Sequence, residues 1–355
     1  MLAILTTADL ITAVLVFGLS FVGTRIVAKI LVQRAILDQP NHRSSHTAPT
    51  PRGGGIAVVG AITVGWFVAV LLGDGLRGGG LMGGGLGSVS LIPMLSAMGL
   101  AIVSFVDDVR SLPAAPRLLA QVAAVGLGLW ALDGQGAFAA FLPRSVDLVL
   151  SALCWLWFIN LVNFMDGIDG ITGTETISIG AGLVVLAVAG AAAPALAGPS
   201  LALGAAAAGF LIWNWHPARV FLGDVGSIPL GFILGLLLVA HASSDAGDGV
   251  ALAQALILPL VYVMDASTTL VRRLARGEKP TEAHREHVYQ RAVQAGLRPG
   301  AVCLRLASAN AILVAVALFL APWNPWLAVA AGLLVVGVLY VLLRPVPLTR
   351  RESAP

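Results

Sequence analysis

Five aspartates mark where this chain could do chemistry. Asp107 and Asp108 close one long apolar run, Asp166 and Asp169 close another, and Asp224 opens a third. Adjacent carboxylates beside apolar sequence repel one another and are costly to desolvate. The Asp107-Asp108 pair is either an interfacial helix end with Arg110 as counter-ion, or a pair facing a cation or phosphoryl group. In Asn160-Leu-Val-Asn163-Phe-Met-Asp166-Gly-Ile-Asp169-Gly170 the two aspartates are three residues apart, so a helical turn puts them on one face. Hard oxygen donors without His or Cys suit Mg²⁺, which keeps waters and shares substrate phosphates. In Phe221-Leu-Gly-Asp224-Val-Gly-Ser227, Asp224 or Ser227 could simply cap the following helix. Alternatively Asp224 reaches a metal while the helix N-terminus, with its orphan N–H groups, faces phosphate.

Basic and histidine-containing segments supply the complementary charge. One is Asn41-His42-Arg43-Ser44-Ser45-His46 with Pro51-Arg52-Gly53-Gly54-Gly55; the other is His284-Arg285-Glu286-His287-Val288-Tyr289-Gln290-Arg291. Such segments commonly mark topology and lipid headgroups. The second is better explained as donors to an anionic substrate. Carboxylates that can hold Mg²⁺ and basic groups that can hold phosphate suggest phosphoryl transfer.

The elements that carry these residues must be membrane helices. Of 355 residues, 58% are hydrophobic and 11% charged, with a mean hydropathy of +0.91. Soluble domains are roughly 25% charged, so a soluble or disordered chain is excluded. Eleven apolar runs have about the length needed to cross a bilayer as helix: 8–28, 54–73, 89–106, 117–132, 146–163, 173–193, 197–215, 225–241, 249–270, 302–321 and 323–344. The expected fold is an all-α polytopic membrane protein, one transmembrane domain over residues 1–355. Of the 21 Lys and Arg, only Arg77 and Arg144 fall in even-numbered connections. Positive-inside bias then puts the N-terminus outside and the C-terminus in the cytoplasm. The active-site loops, at about 29–53, 107–117, 163–173, 214–227 and 271–301, would all be cytoplasmic.

The remaining features are quieter. The first apolar run reads as a retained helix, not a signal peptide. Cys154 and Cys303 lie in apolar runs and are expected to pack as small core residues. The glycine-rich stretch 78–87 reads as an outer linker, since no strand and Lys-bearing helix flank it. Asp265 stands out as an ionisable residue well inside a span. A secondary sugar-nucleotide transporter, the rival class, would carry more charges near the midplane. No nucleic-acid partner is expected.

The ordered motifs resemble the polyprenyl-phosphate N-acetylhexosamine-1-phosphate transferase family (glycosyltransferase family 4) over nearly the whole chain. The resemblance rests on Pro40-Asn41-His42-Arg43 with His46, Pro51-Arg52-Gly53-Gly54, Asp107-Asp108, Asn163 to Gly170, Phe221 to Ser227 and the histidine loop. That loop is similar to enzymes that start O-antigen synthesis; the peptidoglycan branch carries consecutive His there and Lys in place of His46. The family's eleven-helix form has the same orientation as the one read from charge.

The resemblance implies transfer of a sugar phosphate from a UDP-N-acetylhexosamine to undecaprenyl phosphate, releasing UMP, at the cytoplasmic face of a bacterial inner membrane. Asp107, Asp108 and His287 are the expected catalytic residues. Asp107 orients or deprotonates the lipid phosphate and Asp108 supports it; a covalent phospho-aspartate is the runner-up. Asp169 and Asp224 are expected to hold Mg²⁺, with Mn²⁺ as a substitute. His46, Arg52, Asn163, Asp166, Phe221, His284 and Arg285 are expected to bind substrate, with Asp166 also a candidate for indirect support of the metal. The identity of the sugar and the oligomeric state, a homodimer included, stay open.

Overall fold

The computed structural model describes residues 4–39, 49–77, 91–279 and 284–344. His46 and the glycine-rich stretch 78–87 therefore lie outside the described residues. The chain is helical almost throughout. In order come α1 (Thr7–Gln33), β1 (Leu37–Asp38), β2 (Thr50–Pro51), α2 (Gly55–Arg77), α3 (Leu91–Arg110), α4 (Ala114–Ala131) and α5 (Arg144–Met165). Then follow α6 (Ile171–Val188), α7 (Ala197–Asn214), α8 (Asp224–Ala242), α9 (Val250–Ile257), α10 (Leu260–Ala275), α11 (Val288–Gln294), α12 (Pro299–Ala315) and α13 (Pro325–Leu342). The protein is an all-α polytopic membrane protein.

Each expected apolar run coincides with helix, but not every one is a full crossing. Among the described residues nine helices are long and apolar enough to span, and Gly55–Ala69 forms a shorter apolar stretch. The run expected as one span over 249–270 is instead two helices, α9 and α10, bent by 69°. Pro259 stands at that break. Proline has no N–H to continue the ladder, and its ring crowds the preceding turn.

The bundle is organised around α8, which is buried along almost its whole length. It packs against α2, α3, α5 and α9. Two close approaches set its place. Trp155 of α5 lies over Gly235, stacks on Phe232 with centroids 5.0 Å apart and donates from its indole N–H to the Phe232 carbonyl. At the other end, a Cβ on Gly55 would collide with the Gly226 backbone. Only glycine lets the N-termini of α2 and α8 touch in this way.

That contact is reinforced by backbone hydrogen bonds. The N–H groups of Gly53 and Gly54 donate to the Phe221 carbonyl, and Gly55 donates to that of Leu222. Phe221 donates back to the Pro51 carbonyl. The 51–55 segment is thus zipped onto the strand-like entry to α8, while β1 and β2 pair antiparallel just before it. Cys303 is buried as expected; Cys154 is exposed, on the outward side of α5.

Candidate active site

Arg52, Asp108 and Asp224 come from three segments distant in sequence and meet at the N-terminus of α8. The Arg52 Nη2 lies 3.0 Å from Asp108 Oδ1 and 2.7 Å from Asp224 Oδ1. Asp108 is turned inward, and its second oxygen accepts from the Val225 N–H at 3.3 Å. It therefore sits where the partial positive charge of the α8 N-terminus favours an anion. Gly223, at φ +75°, makes the sharp entry that aims Asp224 at the guanidinium. The counter-ion of Asp108 is Arg52, not Arg110.

Asp107 faces away from this cluster. Its oxygens accept from the Leu112 N–H and from Arg117 Nη1, both at 2.7 Å, closing the turn between α3 and α4. Consecutive helical residues point about 100° apart, so the two adjacent carboxylates serve different neighbours.

The loop after α5 lies on the other side of the cluster. Asn163 donates to the Ser227 hydroxyl at 2.9 Å, tying the end of α5 to the first turn of α8. Asp166 ends α5 and lies within electrostatic reach of Asp224, Arg52 and Asp108. Desolvation in the packed loop pushes its carboxyl up to about 6, opposed by a hydrogen bond with Thr172. Phe221 is half-buried and contributes its backbone to the Arg52 segment.

Asp169 is held elsewhere. One of its oxygens lies 2.7 Å from His216 Nδ1 and 3.1 Å from the Ala218 N–H. Asn214 bridges the same loops, accepting from the Gly170 N–H and donating to the Val220 carbonyl. The two expected metal ligands thus have different immediate partners: Asp224 engages Arg52, and Asp169 engages His216.

The histidine loop is docked by Asp265. This buried carboxylate accepts from the N–H groups of Val288 at 2.9 Å and Tyr289 at 3.3 Å, and its Oδ1 is 3.3 Å from His287 Nδ1. It therefore satisfies the N-terminus of α11, which accounts for a charged residue within α10. The rings of His284, His287 and Tyr289 follow one another at 4.9 and 5.6 Å. Tyr289 donates to the Phe164 carbonyl, which brings the loop against the Asp166 segment. Burial, then His287 and Arg273, hold the His284 imidazole down at about 4, so it is neutral at pH 7. Arg285 lies next to it and accepts at its carbonyl from Gln294. Glu278 and Glu286 brace the same loop through Arg273 and Arg276.

Three further residues belong to this end of the bundle without a sequence signal of their own: Arg117, His216 and Glu175. His216 sits in a conspicuous Trp213–Arg219 stretch, but nothing local ties it to Asp169. Glu175, one turn into α6, shows that Asp265 is not alone as an acidic residue within an apolar run.

Among the described residues no three His, Cys, Asp or Glu side chains gather as a ready-made metal cage. The donors near α8 are all carboxylate oxygens, and a divalent cation that keeps waters and shares phosphates needs only one or two of them. The residues present fit Mg²⁺ of that kind.

The structure is thus an all-α membrane bundle with carboxylates and basic groups converging at one end. Residues 90–242 match the model of glycosyl transferase family 4. The chain is 25% identical over 288 residues to a probable undecaprenyl-phosphate N-acetylglucosaminyl 1-phosphate transferase of Bacillus subtilis, covering 77% of this chain and 74% of that protein. It is 27% identical over 305 residues to a decaprenyl-phosphate N-acetylglucosaminephosphotransferase of Mycolicibacterium smegmatis, covering 78% and 73%. A phospho-N-acetylmuramoyl-pentapeptide-transferase of Synechococcus is 35% identical over 168 residues, 42% of this chain and 46% of that protein. These likenesses support a place for the chain in the polyprenyl-phosphate hexosamine-1-phosphate transferase family.

Proposed function

We propose that the protein transfers N-acetylhexosamine-1-phosphate from a UDP-sugar to undecaprenyl phosphate, releasing UMP and starting a lipid-linked O-antigen or other surface polysaccharide. The observation that carries this reading is the Arg52–Asp108–Asp224 cluster at the N-terminus of α8, with Asp166 beside it. Two anionic reactants must meet, and the chemistry needs charge neutralisation more than a strong base. The positive-inside count favours a cytoplasmic position for this end of the bundle, in a bacterial inner membrane.

In this proposal Arg52 binds a phosphate group while staying oriented by Asp108 and Asp224. Asp107, close to the bilayer edge beside Arg117, orients the lipid phosphate and takes its proton. The second pKa of a phosphate monoester is about 6, so that proton is easily given up near neutral pH. The attacking phosphate oxygen forms a bond to the β-phosphorus of the donor as the bond to the UMP oxygen breaks. Asp224 would hold Mg²⁺, with the oxygen of Asp169 not engaged by His216 as a second ligand. Bound there, the ion would screen the donor diphosphate. His284 and Arg285 bind the sugar or diphosphate, and His287, fixed by Asp265, completes the catalytic set. Asn163 orders the α8 entry through Ser227, Phe221 offers a ring to the donor, and His46, six residues before Arg52 in sequence, is assigned to the phosphates by the family resemblance alone.

The test is UMP release by purified protein in detergent with undecaprenyl phosphate, Mg²⁺ and a panel of UDP-N-acetylhexosamines. Release that requires lipid and metal, and collapses in Asp224→Asn and Asp108→Asn, is expected. The similarity to the peptidoglycan precursor transferase favours one competing donor, UDP-N-acetylmuramoyl-pentapeptide, which belongs in the panel. Folded protein with no release from any donor would sink the proposal.

A further inference from the structure

Glu175 is a carboxyl within an apolar helix, buried to 1% exposure. Asn310 of α12 donates to its Oε2 at 2.6 Å. Its other oxygen and the Asn310 side-chain amide oxygen, Oδ1, have no protein hydrogen-bond partner among the described residues. Burying a carboxyl with so little compensation costs stability, so its presence calls for a role.

Its surroundings supply one. Thr172 lies three residues earlier on the same face of α6. Its hydroxyl is 3.4 Å from the Tyr262 hydroxyl of α10 and is hydrogen-bonded to Asp166. Thr172, Tyr262 and Asn310 are all buried at 1% exposure or less. Tyr262 lies within electrostatic reach of both Glu175 and Asp166. Two buried polar pairs, Thr172–Tyr262 and Glu175–Asn310, thus lie one turn apart on α6 and tie it to α10 and α12. Buried polar networks of this kind rigidify what they join.

We propose that Glu175 is a positioning residue of the transfer site. Its hydrogen bond to Asn310 locks α6 against α12, so that Thr172, one turn earlier and against Tyr262 of α10, holds Asp166 beside Arg52, Asp108 and Asp224. Glu175 touches no substrate; it acts through Thr172 and Asp166. The inference rests on the transferase function proposed above.

The experiment is a double-mutant cycle read in kcat and donor KM. Small displacements of a positioned group are expensive in rate. Glu175→Leu should therefore lower kcat/KM about tenfold, mainly through donor KM, because Asp166 lies beside Asp224, the proposed ligand of the ion on the donor diphosphate. Glu175→Gln, which keeps the shape and can still accept from Asn310, should recover all but about twofold of that loss. In an Asp166→Asn background, Glu175→Leu should cost less than about twofold more, since linked residues are not additive. A role confined to folding would lower the yield of active protein without shifting KM and without coupling to Asp166.

Tyr262→Phe keeps the ring and removes only the hydroxyl. It should show the same coupling and carries the test if the Glu175→Leu protein does not fold. Additive effects with Asp166→Asn, or Glu175→Leu with wild-type kcat and KM, would overturn the inference while leaving the transferase reading intact. A wild-type protein that releases UMP from no donor would overturn both.

Discussion

Replacing Arg52 tests the site most directly, because one guanidinium nitrogen holds two carboxylates. Its Nη2 is 3.0 Å from Asp108 and 2.7 Å from Asp224. A charge-assisted hydrogen bond contributes about 1.5–3 kcal/mol when sheltered. The Arg52 side chain is 41% exposed, so solvent screening brings each bond nearer about 1 kcal/mol. Two bonds give about 2 kcal/mol, or about a 30-fold fall in kcat/KM for Arg52→Ala. Arg52→Lys retains the charge but reaches less far, and should cost about half that energy, about fivefold. A second signature separates this account from simple misfolding. Removing the cation makes the Asp108–Asp224 pair more attractive to a divalent ion, so half-maximal activity should need less Mg²⁺ even as kcat falls. The assay is UMP release against Mg²⁺ concentration, with size-exclusion profiles as the folding control. Activity of Arg52→Ala within twofold of wild type, or a higher Mg²⁺ requirement, would show that the guanidinium does not organise these two carboxylates for transfer.

Three other outcomes follow from the geometry. Asp265→Asn should free the N-terminus of α11, because three donors lose a carboxylate; about 2 kcal/mol of docking, or about a 30-fold rise in donor KM, is expected. Donor titrations would check this, and an unchanged KM would show that α11 does not bear on the donor. Ser227→Ala removes one neutral hydrogen bond to Asn163 and should cost about 1 kcal/mol, near fivefold in kcat/KM; no change in turnover would exclude a role for that tie. Acid titration of thermal stability tests His284, whose folded value near 4 lies below its ordinary 6.5. A base held neutral in the fold contributes stability that is complete above pH 6.5 and lost as pH falls toward 4. With His284 half-exposed, screening limits that loss to about 1 kcal/mol. His284→Gln should flatten the change in melting temperature over this window, and equal slopes for the two proteins would contradict it.

Much of the active-site end was legible in the sequence, for local reasons. Asn163 and Asp166 end α5, and Asp224 opens α8, where the apolar runs stop. A glycine before Asp224 gives the sharp entry, which a motif with Gly223 already suggests. What could not be read locally is which partner each side chain takes. Asp107 and Asp108 are neighbours in sequence, yet one closes a turn with Arg117 and the other meets Arg52. Asp169 has the spacing of a metal ligand, yet one oxygen belongs to His216 across a loop. Glu175 carried no motif, and its meaning comes only from Asn310, far along the chain. The continuous ninth span was expected from hydropathy, which averages over Pro259 and does not register a bend.

That the chain spans a membrane as helices, with its carboxylate and basic motifs at span ends, follows from local sequence. Hydropathy and helical spacing are properties of short stretches, and lipid forces their backbones to satisfy themselves locally. Which carboxylates face one another, and which basic group neutralises them, is set by packing. Those pairings depend on how closely helices approach, as Gly55 and Gly226 allow α2 and α8 to do, and an approach between distant segments is a property of the packed bundle.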